Sequence, residues 1–568
     1  MPLAIGVTSH RNIPAREEAA VRARIREFFA TLQREFPELP LLVLSALAEG
    51  GDQWVAEEAL AVGARLIAPL PMARSLYAQD FPDAVARARF DALCDKAEIV
   101  ELSGIDEDTR AQQNVPLYGN ERDRRYANAG VYVSAHCHIL LAIWDGKESD
   151  RLGGTAQIAY YHLTGFKPES LERRRNAAKF NPLGNDNERL LFHIVCSRDA
   201  PDGAPAPPLQ PLQTFWRVDD LVLPGDQPAP DDFRAMFTHM SQFNADWAKY
   251  RGAVDAGASR PSAQDAGMAP AGVSAIDNLF CAADWLAMHF QHRVLFAMRA
   301  IYTMAALMGI AFMCYSDLPA QDYMIFVFLA LFAFGGWLSV LAQRRGWHRK
   351  YLDYRALAEG LRVQSYWRRA GLPVTGDAEF AHDNFLQKQD VELGWIRNVM
   401  RSAGLGGDLH SQPASLAEVI AEWVGESGKS GQLYYFERRA AERTRRHNLT
   451  ETLGKFSLWI GIAISVFLAV FFLQLSQDAK TWLVAAMAIA SIVAAVREAY
   501  AYRKADKELI KQYRFMCRIF ASARSALDRT RDPIEQRDIL RVLGETALAE
   551  HAEWTLMHRE RPLQHARF

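Results

Sequence analysis

Three short stretches of the chain combine glycine, hydroxyl and charged residues in patterns suited to holding an anion. In "GVTSHR" (residues 6–11), Gly6, Thr8, Ser9, His10 and Arg11 close an apolar run and offer backbone N–H groups, two hydroxyls and two basic side chains. In "SALAEGGDQW", Ser45 ends a second apolar run, Gly50 and Gly51 permit a tight turn, and Asp52 and Gln53 open a helical pattern capped near Asp52. In "WDGKESDRLGGTA", Asp145 ends a strand-like run, and Gly153, Gly154 and Thr155 begin a helix. Small residues let backbone approach a phosphate, and helix N-termini favour its charge. Should the ligand be cleaved rather than held, Glu49 and Asp145 are the candidate catalytic carboxylates.

Further residues are candidates for the same pocket. The polar insert "DEDTRAQQNVPLYGNERDRRYANAG" (106–130) is placed to fold over it, with Arg122, Arg124, Arg125 and Tyr126 to contact phosphate or stack on a base. In "SAHCHIL", His136 and His138 are two apart, which predicts one face of a strand; with no further ligand in range, no metal site and no cofactor is expected. The six cysteines are scattered without a C-x-x-C pair, which suggests neither a zinc knuckle nor a disulfide framework and fits a reducing compartment.

The elements that must position these turns follow from the rhythm of the first 200 residues. Short apolar runs ("LAIGV", "LLVLSAL", "RLIAPLP", "AEIVEL", "CHILLAIW") alternate with helical patterns, which predicts an α/β, Rossmann-like parallel sheet covered by helices. In such sheets ligands sit beyond the carboxyl ends of the strands, where all three turns would meet. Residues 201–275 read as an accessory segment and linker: "PDGAPAPPLQP" breaks the pattern, and the low-complexity stretch 252–272 predicts a flexible tether.

The second half has a different character. Residues 323–342 and 456–476 carry no charge over twenty and twenty-one positions, each about 30 Å as helix and enough to cross a bilayer. Residues 300–315 and 481–496 are shorter uncharged partners, joined to the long runs by "SDLPAQD" and "QDAK". The prediction is an all-α membrane domain of four transmembrane helices in two hairpins, at 276–372 and 431–568, separated by a cytoplasmic connector at 373–430. Basic residues flank the other ends, among them Arg293, Arg344, Arg345, Arg443, Arg445 and Arg497, which predicts cytoplasmic N- and C-termini. Residues 1–11 show no leader pattern, so the first domain is expected to stay on the side where it is made. The runs contain no Asp, Glu or Lys, which disfavours an ion-coupled carrier; Gly335, Gly336, Ser339, Ser465 and Ser491 are expected at helix contacts or on a lumen. The hairpins read as copies, each followed by a charged helix that starts with Tyr-Arg, at Tyr354 and Tyr502. A net charge of -2 gives no reason to expect nucleic acid as a partner.

"GVTSHR", "SALAEGGDQWVAEEAL" and "LGGTA" together resemble the SLOG superfamily, Rossmann-like nucleotide-binding domains that include DNA-processing proteins and the cytokinin-activating LOG enzymes. The resemblance spans about residues 1–165. It implies a nucleotide pocket lined by Gly6, Thr8, His10, Arg11, Ser45, Glu49, Gly50, Asp52, Gln53, Gly153, Gly154 and Thr155. Catalytic LOG enzymes carry a glutamate after the threonine of P-G-G-x-G-T; here Ala156 and Gln157 follow Thr155, and Leu152 stands where the proline would be. Binding is therefore expected over N-glycosidic cleavage. The paired hairpins look like the SLATT family of membrane modules, over about 275–530, which implies a pore-forming effector coupled to nucleotide sensing in bacterial conflict systems. The expectation is a homo-oligomeric sensor-effector of the bacterial inner membrane, whose partners are a nucleotide or nucleotide derivative and the lipid bilayer. The rivals are a membrane-anchored nucleotide hydrolase or nucleosidase and a structural scaffold.

Overall fold

The computed structural model of the chain describes residues 1–81, 83–102, 119–149, 151–165, 189–258, 275–318, 321–372, 393–405, 415–471, 473–504 and 506–559. Its N-terminal elements are β1 (Leu3–Ser9), α1 (Ala15–Glu35), β2 (Leu41–Leu44), α2 (Gly51–Ala61), β3 (Arg65–Leu70), the short α3 (Arg74–Tyr77), α4 (Ala84–Cys94) and β4 (Glu98–Glu101). Then follow α5 (Asn120–His136), β5 (Ile139–Trp144), α6 (Thr155–Thr164), β6 (Leu190–Val195), β7 (Thr214–Val218), β8 (Leu221–Pro224) and α7 (Asp231–Ala258). Helices complete the chain: α8 (Ala275–Asp317), α9 (Met324–Arg344), α10 (Trp347–Arg369), α11 (Gly394–Ala403), the short α12 (Leu416–Val419), α13 (Gly431–Phe471), α14 (Gln477–Lys504), α15 (Asp506–Leu527) and α16 (Pro533–Arg559).

The strands form one mixed sheet in the order β4-β3-β2-β1-β5-β6-β7-β8. β1 to β6 are parallel, as their buried β-branched and leucine-rich sequences require. The strand order turns around at β1, which pairs with β2 on one side and β5 on the other; in open α/β sheets such a reversal opens a crevice at the carboxyl ends. A purely parallel sheet is corrected by β7 and β8, which add antiparallel from within the stretch read as accessory segment and linker. Residues 252–258 of the expected tether belong to α7, and the rest of it lies outside the described residues.

Both faces of the sheet are covered. Ala4, Leu42, Leu44 and Leu140 join Val133 of α5 and Ile158 and Ala159 of α6 in one core cluster, while the alternate residues Leu3, Ile5, Val43 and Leu141 are equally buried. Leu405, far along the chain, belongs to the same cluster. The polar insert is corrected from residue 120 on. Residues 120–136 are helix α5, its small and apolar residues Ala127, Val131 and Val133 facing inward, and residues 103–118 lie outside the described residues. His136 thus ends a helix while His138 precedes β5, so the two do not share a strand face.

The chain divides into two compact units. The first comprises Met1–Val254, Gly272–Phe280 and Gly360–Pro413; the second comprises Asp255–Ala271, Cys281–Glu359 and Ala414–Phe568. Within the first, the His138 ring accepts from Ala4 N–H at 3.0 Å and lies 2.9 Å from the Asn398 carbonyl through Nε2, tying β1 to α11. Burial pushes its pKa down to about 4, so the ring is neutral and Nε2–H donates to that carbonyl.

Among the described residues, four helices are long and apolar enough to cross a membrane, within Ala275–Asp317, Met324–Arg369, Gly431–Phe471 and Gln477–Ala501. Phe326, Trp337, Phe456, Trp459 and Trp482 turn outward on them, as lipid-facing residues would. Helix contacts use small residues: a Cβ on Gly309 would meet Ile492 at 3.0 Å, and Ser457 Oγ donates to the Ala490 carbonyl at 3.1 Å. Gly335 lies near Met304 and Ser465 near Met487, whereas Gly336 faces open space.

Candidate functional site

Three strand-to-helix corners build the carboxyl edge of the sheet around β1. At the first, Ser9 ends β1, and His10 prolongs its pairing by donating N–H to the Ile143 carbonyl at 3.0 Å. Ser9 Oγ donates to Asp52 Oδ1 at 2.6 Å, which fastens this corner to the second. There Ser45 Oγ accepts from Leu47 N–H and donates to the Asp52 carbonyl, both at 3.2 Å, while Gln53 Nε2 donates to the Leu47 carbonyl at 3.3 Å. Gly50 sits at φ 89°, and a Cβ on it would come within 2.6 Å of the Arg11 carbonyl oxygen. The two corners therefore meet backbone to backbone, a closeness only glycine allows.

The third corner joins through Asp145, whose Oδ1 lies 3.1 Å from His10 Nε2 and accepts from Lys147 N–H at 3.1 Å. Its Oδ2 is buried and has no hydrogen-bond partner among the described residues. Gly153, at φ 74°, tucks against α5, where a Cβ would lie 2.8 Å from Ala127 N. Its N–H is taken by Gln157 Oε1 at 2.7 Å and that of Gly154 by the Arg151 carbonyl at 3.0 Å. These two amides, expected to face a phosphate, are thus spent inside the corner. Thr155 is the first residue of α6 and is buried.

α5 supplies a wall. The buried Arg122 guanidinium bonds Asp80 and, through Nε at 2.8 Å, the Tyr126 hydroxyl, which itself donates to Asp80. Arg122 is therefore a structural cation. Arg11 is exposed and lies over the Tyr126 ring at 5.3 Å. Arg124 is also exposed, and Arg125 pairs with Glu121 at 3.5 Å.

The predicted site residues thus separate into two groups. Ser45, Asp52 and Gln53 are almost wholly buried and tie the corners together. Gly6 lies within β1 beneath α5, where a Cβ would meet Val133 Cγ1 at 2.7 Å, so its smallness serves packing. The expected cap near Asp52 is made by Gly50, without a side-chain bond, because the Asp52 carboxyl is turned to Ser9. Thr8 and His10 are half-buried, and Arg11 and Glu49 are exposed.

The two buried acids differ in state. Burial pushes Asp52 up to about 7, against the Ser9 hydroxyl and the nearby Arg11 charge. Burial also works on Asp145, but the His10 ring and the Lys147 N–H hold it below its ordinary value. Among the described residues, no three His, Cys, Asp or Glu side chains are grouped to hold a metal ion. Nothing in the sequence marks Asp80, which anchors the α5 wall. Comparison with protein-family models, curated proteins and solved structures finds no match to this chain.

Proposed function

We propose that this protein is a membrane-anchored sensor-effector whose Rossmann-like, SLOG-like sheet unit binds a nucleotide or nucleotide derivative at the β1, β2 and β5 corners. Ligand binding then biases the oligomeric assembly or opening of the SLATT-like helices, in a bacterial defence role at the inner membrane with both termini cytoplasmic. The observation that carries the reading is the convergence of the corners at the strand-order reversal, with exposed Arg11 beside an aromatic ring. An anion that binds one conformation better than another shifts their populations by that difference. The test is equilibrium binding of a nucleotide panel to the full chain in neutral detergent. Arg11→Ala should lose affinity without losing thermal stability; no binding by any panel member overturns the reading. Reconstituted into vesicles, the protein should release trapped ions when the bound nucleotide is added.

A second reading, nucleotide hydrolysis, draws support from the buried, unpartnered Asp145 Oδ2 beside His10. Glu49, the other candidate, is exposed on the corner rather than enclosed. Release of base, ribose or phosphate from labelled nucleotide would select this reading, and recovery of intact ligand the first.

A further inference from the structure

The helical unit contains a basic groove that neither the sheet site nor the membrane spans account for. It runs between α13 and α15 as two adjoining cavities of about 590 and 420 Å³, which share Ala440 and Arg514. Lys511, Arg514 and Arg518 line one wall, and Arg445 with Thr444 and Asn448 lines the other. Ala440 and Ala441 keep the floor low.

The neighbouring acids are engaged elsewhere. Glu437, the one carboxylate on the lining, accepts from Ser427 Oγ at 2.6 Å and from Gly428 N–H at 2.9 Å. Glu442 holds Arg439 and Arg446, at 3.4 and 2.6 Å. Arg514 donates to Thr444 Oγ1 at 3.3 Å, and Arg518 lies over the Phe515 ring. None of Arg445, Lys511, Arg514 and Arg518 has a carboxylate partner among the described residues. Lys511, Arg514 and Arg518 share one cavity and Arg445 joins Arg514 on the other; cations grouped in this way repel each other, and a multiply charged anion relieves that repulsion while accepting charge-assisted hydrogen bonds.

We propose that this groove is a second anion site, which takes a compound bearing clustered phosphates. Two sources share that chemistry, a soluble polyphosphate and an anionic lipid headgroup. Residues 440–448 precede Phe456, where the uncharged run begins, by eight to sixteen positions. Along a helix this is about 12–24 Å, whereas the headgroup layer is only about 5–7 Å deep on each side. The position favours the soluble source.

The probe is inorganic tripolyphosphate, titrated calorimetrically into the full chain in an uncharged detergent. Wild type should bind, and Arg514→Ala/Arg518→Ala should bind about tenfold more weakly or worse while keeping wild-type affinity for any nucleotide held at the sheet edge. That comparison separates this groove from the sheet site, so either can fail alone. If the double variant does not fold, Lys511→Gln alone should still weaken binding severalfold. In a second arm, nanodiscs of phosphatidylglycerol and of phosphatidylcholine are compared; retention of phosphatidylglycerol that depends on Arg514 and Arg518, without tripolyphosphate binding, assigns the site to lipid. Equal behaviour of wild type and double variant in both arms overturns the proposal.

Discussion

The edge of the sheet and the groove between α13 and α15 are both rich in cations, yet they are built on opposite plans. At the sheet edge buried ionisable groups are tied to fixed neighbours: Arg122 sits on Asp80, Asp145 Oδ1 faces His10, and Asp52 takes the Ser9 hydroxyl. In the groove the guanidinium and ammonium groups are exposed, and Glu437, the carboxylate on its lining, is held by Ser427 and Gly428 rather than by a cation. The difference teaches where each region keeps its energy. Buried pairs set geometry and cost several kcal/mol when broken, whereas exposed charges set affinity for a partner and contribute little to folding.

The largest effect that would break this contrast is expected at Asp80. Asp80→Ala removes the carboxylate from a buried guanidinium and should destabilise the first unit by about 3–5 kcal/mol, seen as an early thermal transition. A loss below about 1 kcal/mol would place Arg122 with the solvated cations. Asp52→Asn should act in the other direction. The folded pKa of Asp52, about 7, lies above the unfolded value, so the folded chain binds the extra proton between roughly pH 4 and 7, and the ionised group costs stability above that window. The variant should match wild type near pH 4 and become more stable than it by up to about 4 kcal/mol at pH 8. Melting temperatures of the pair at several pH values test this, and a constant difference would refute it.

A smaller effect is expected at Gly6. Gly6→Val drives a side chain into Val133 and Cys137 and should cost about 1–3 kcal/mol, read in chemical denaturation. Smallest of all, Arg514→Ala should change the stability of the helical unit by no more than about 0.5 kcal/mol, while Arg514→Glu should leave folding intact and invert the groove's response to added salt. A large stability loss at Arg514 would erase the distinction between the two regions.

Much of this architecture was legible in the sequence, and the exceptions have physical causes. The parallel strands from β1 to β5 follow from apolar runs short enough to be strands and spaced by helical patterns. The hairpin segments follow from length and lack of charge. β7 and β8 escaped because Trp216 alone is buried in a half-exposed edge pair, which leaves no strong alternation to read. α5 escaped because its first turns are charged and its buried positions mix Ala127, Ala129 and Ser134 with Arg122, Tyr132 and His136, which leaves no clear apolar stripe. At the site, residue type located the corners but did not tell which way a side chain turns. Ser45, Asp52 and Gln53 have the composition of a binding loop and serve as its internal ties. The role of α11 depends on a contact between His138 and Asn398, 260 positions apart, which no local pattern encodes.

That distant contact bears on the order in which the protein is made. The sheet body cannot be completed until Trp395, Asn398 and Leu405 have left the ribosome, and by then the segments of the first hairpin have already emerged. Synthesis must therefore present those apolar segments while the sheet unit is still open at one side. A fragment stopped near residue 258 would expose the surface that α11 covers and would be a natural client for chaperones rather than a free-standing domain.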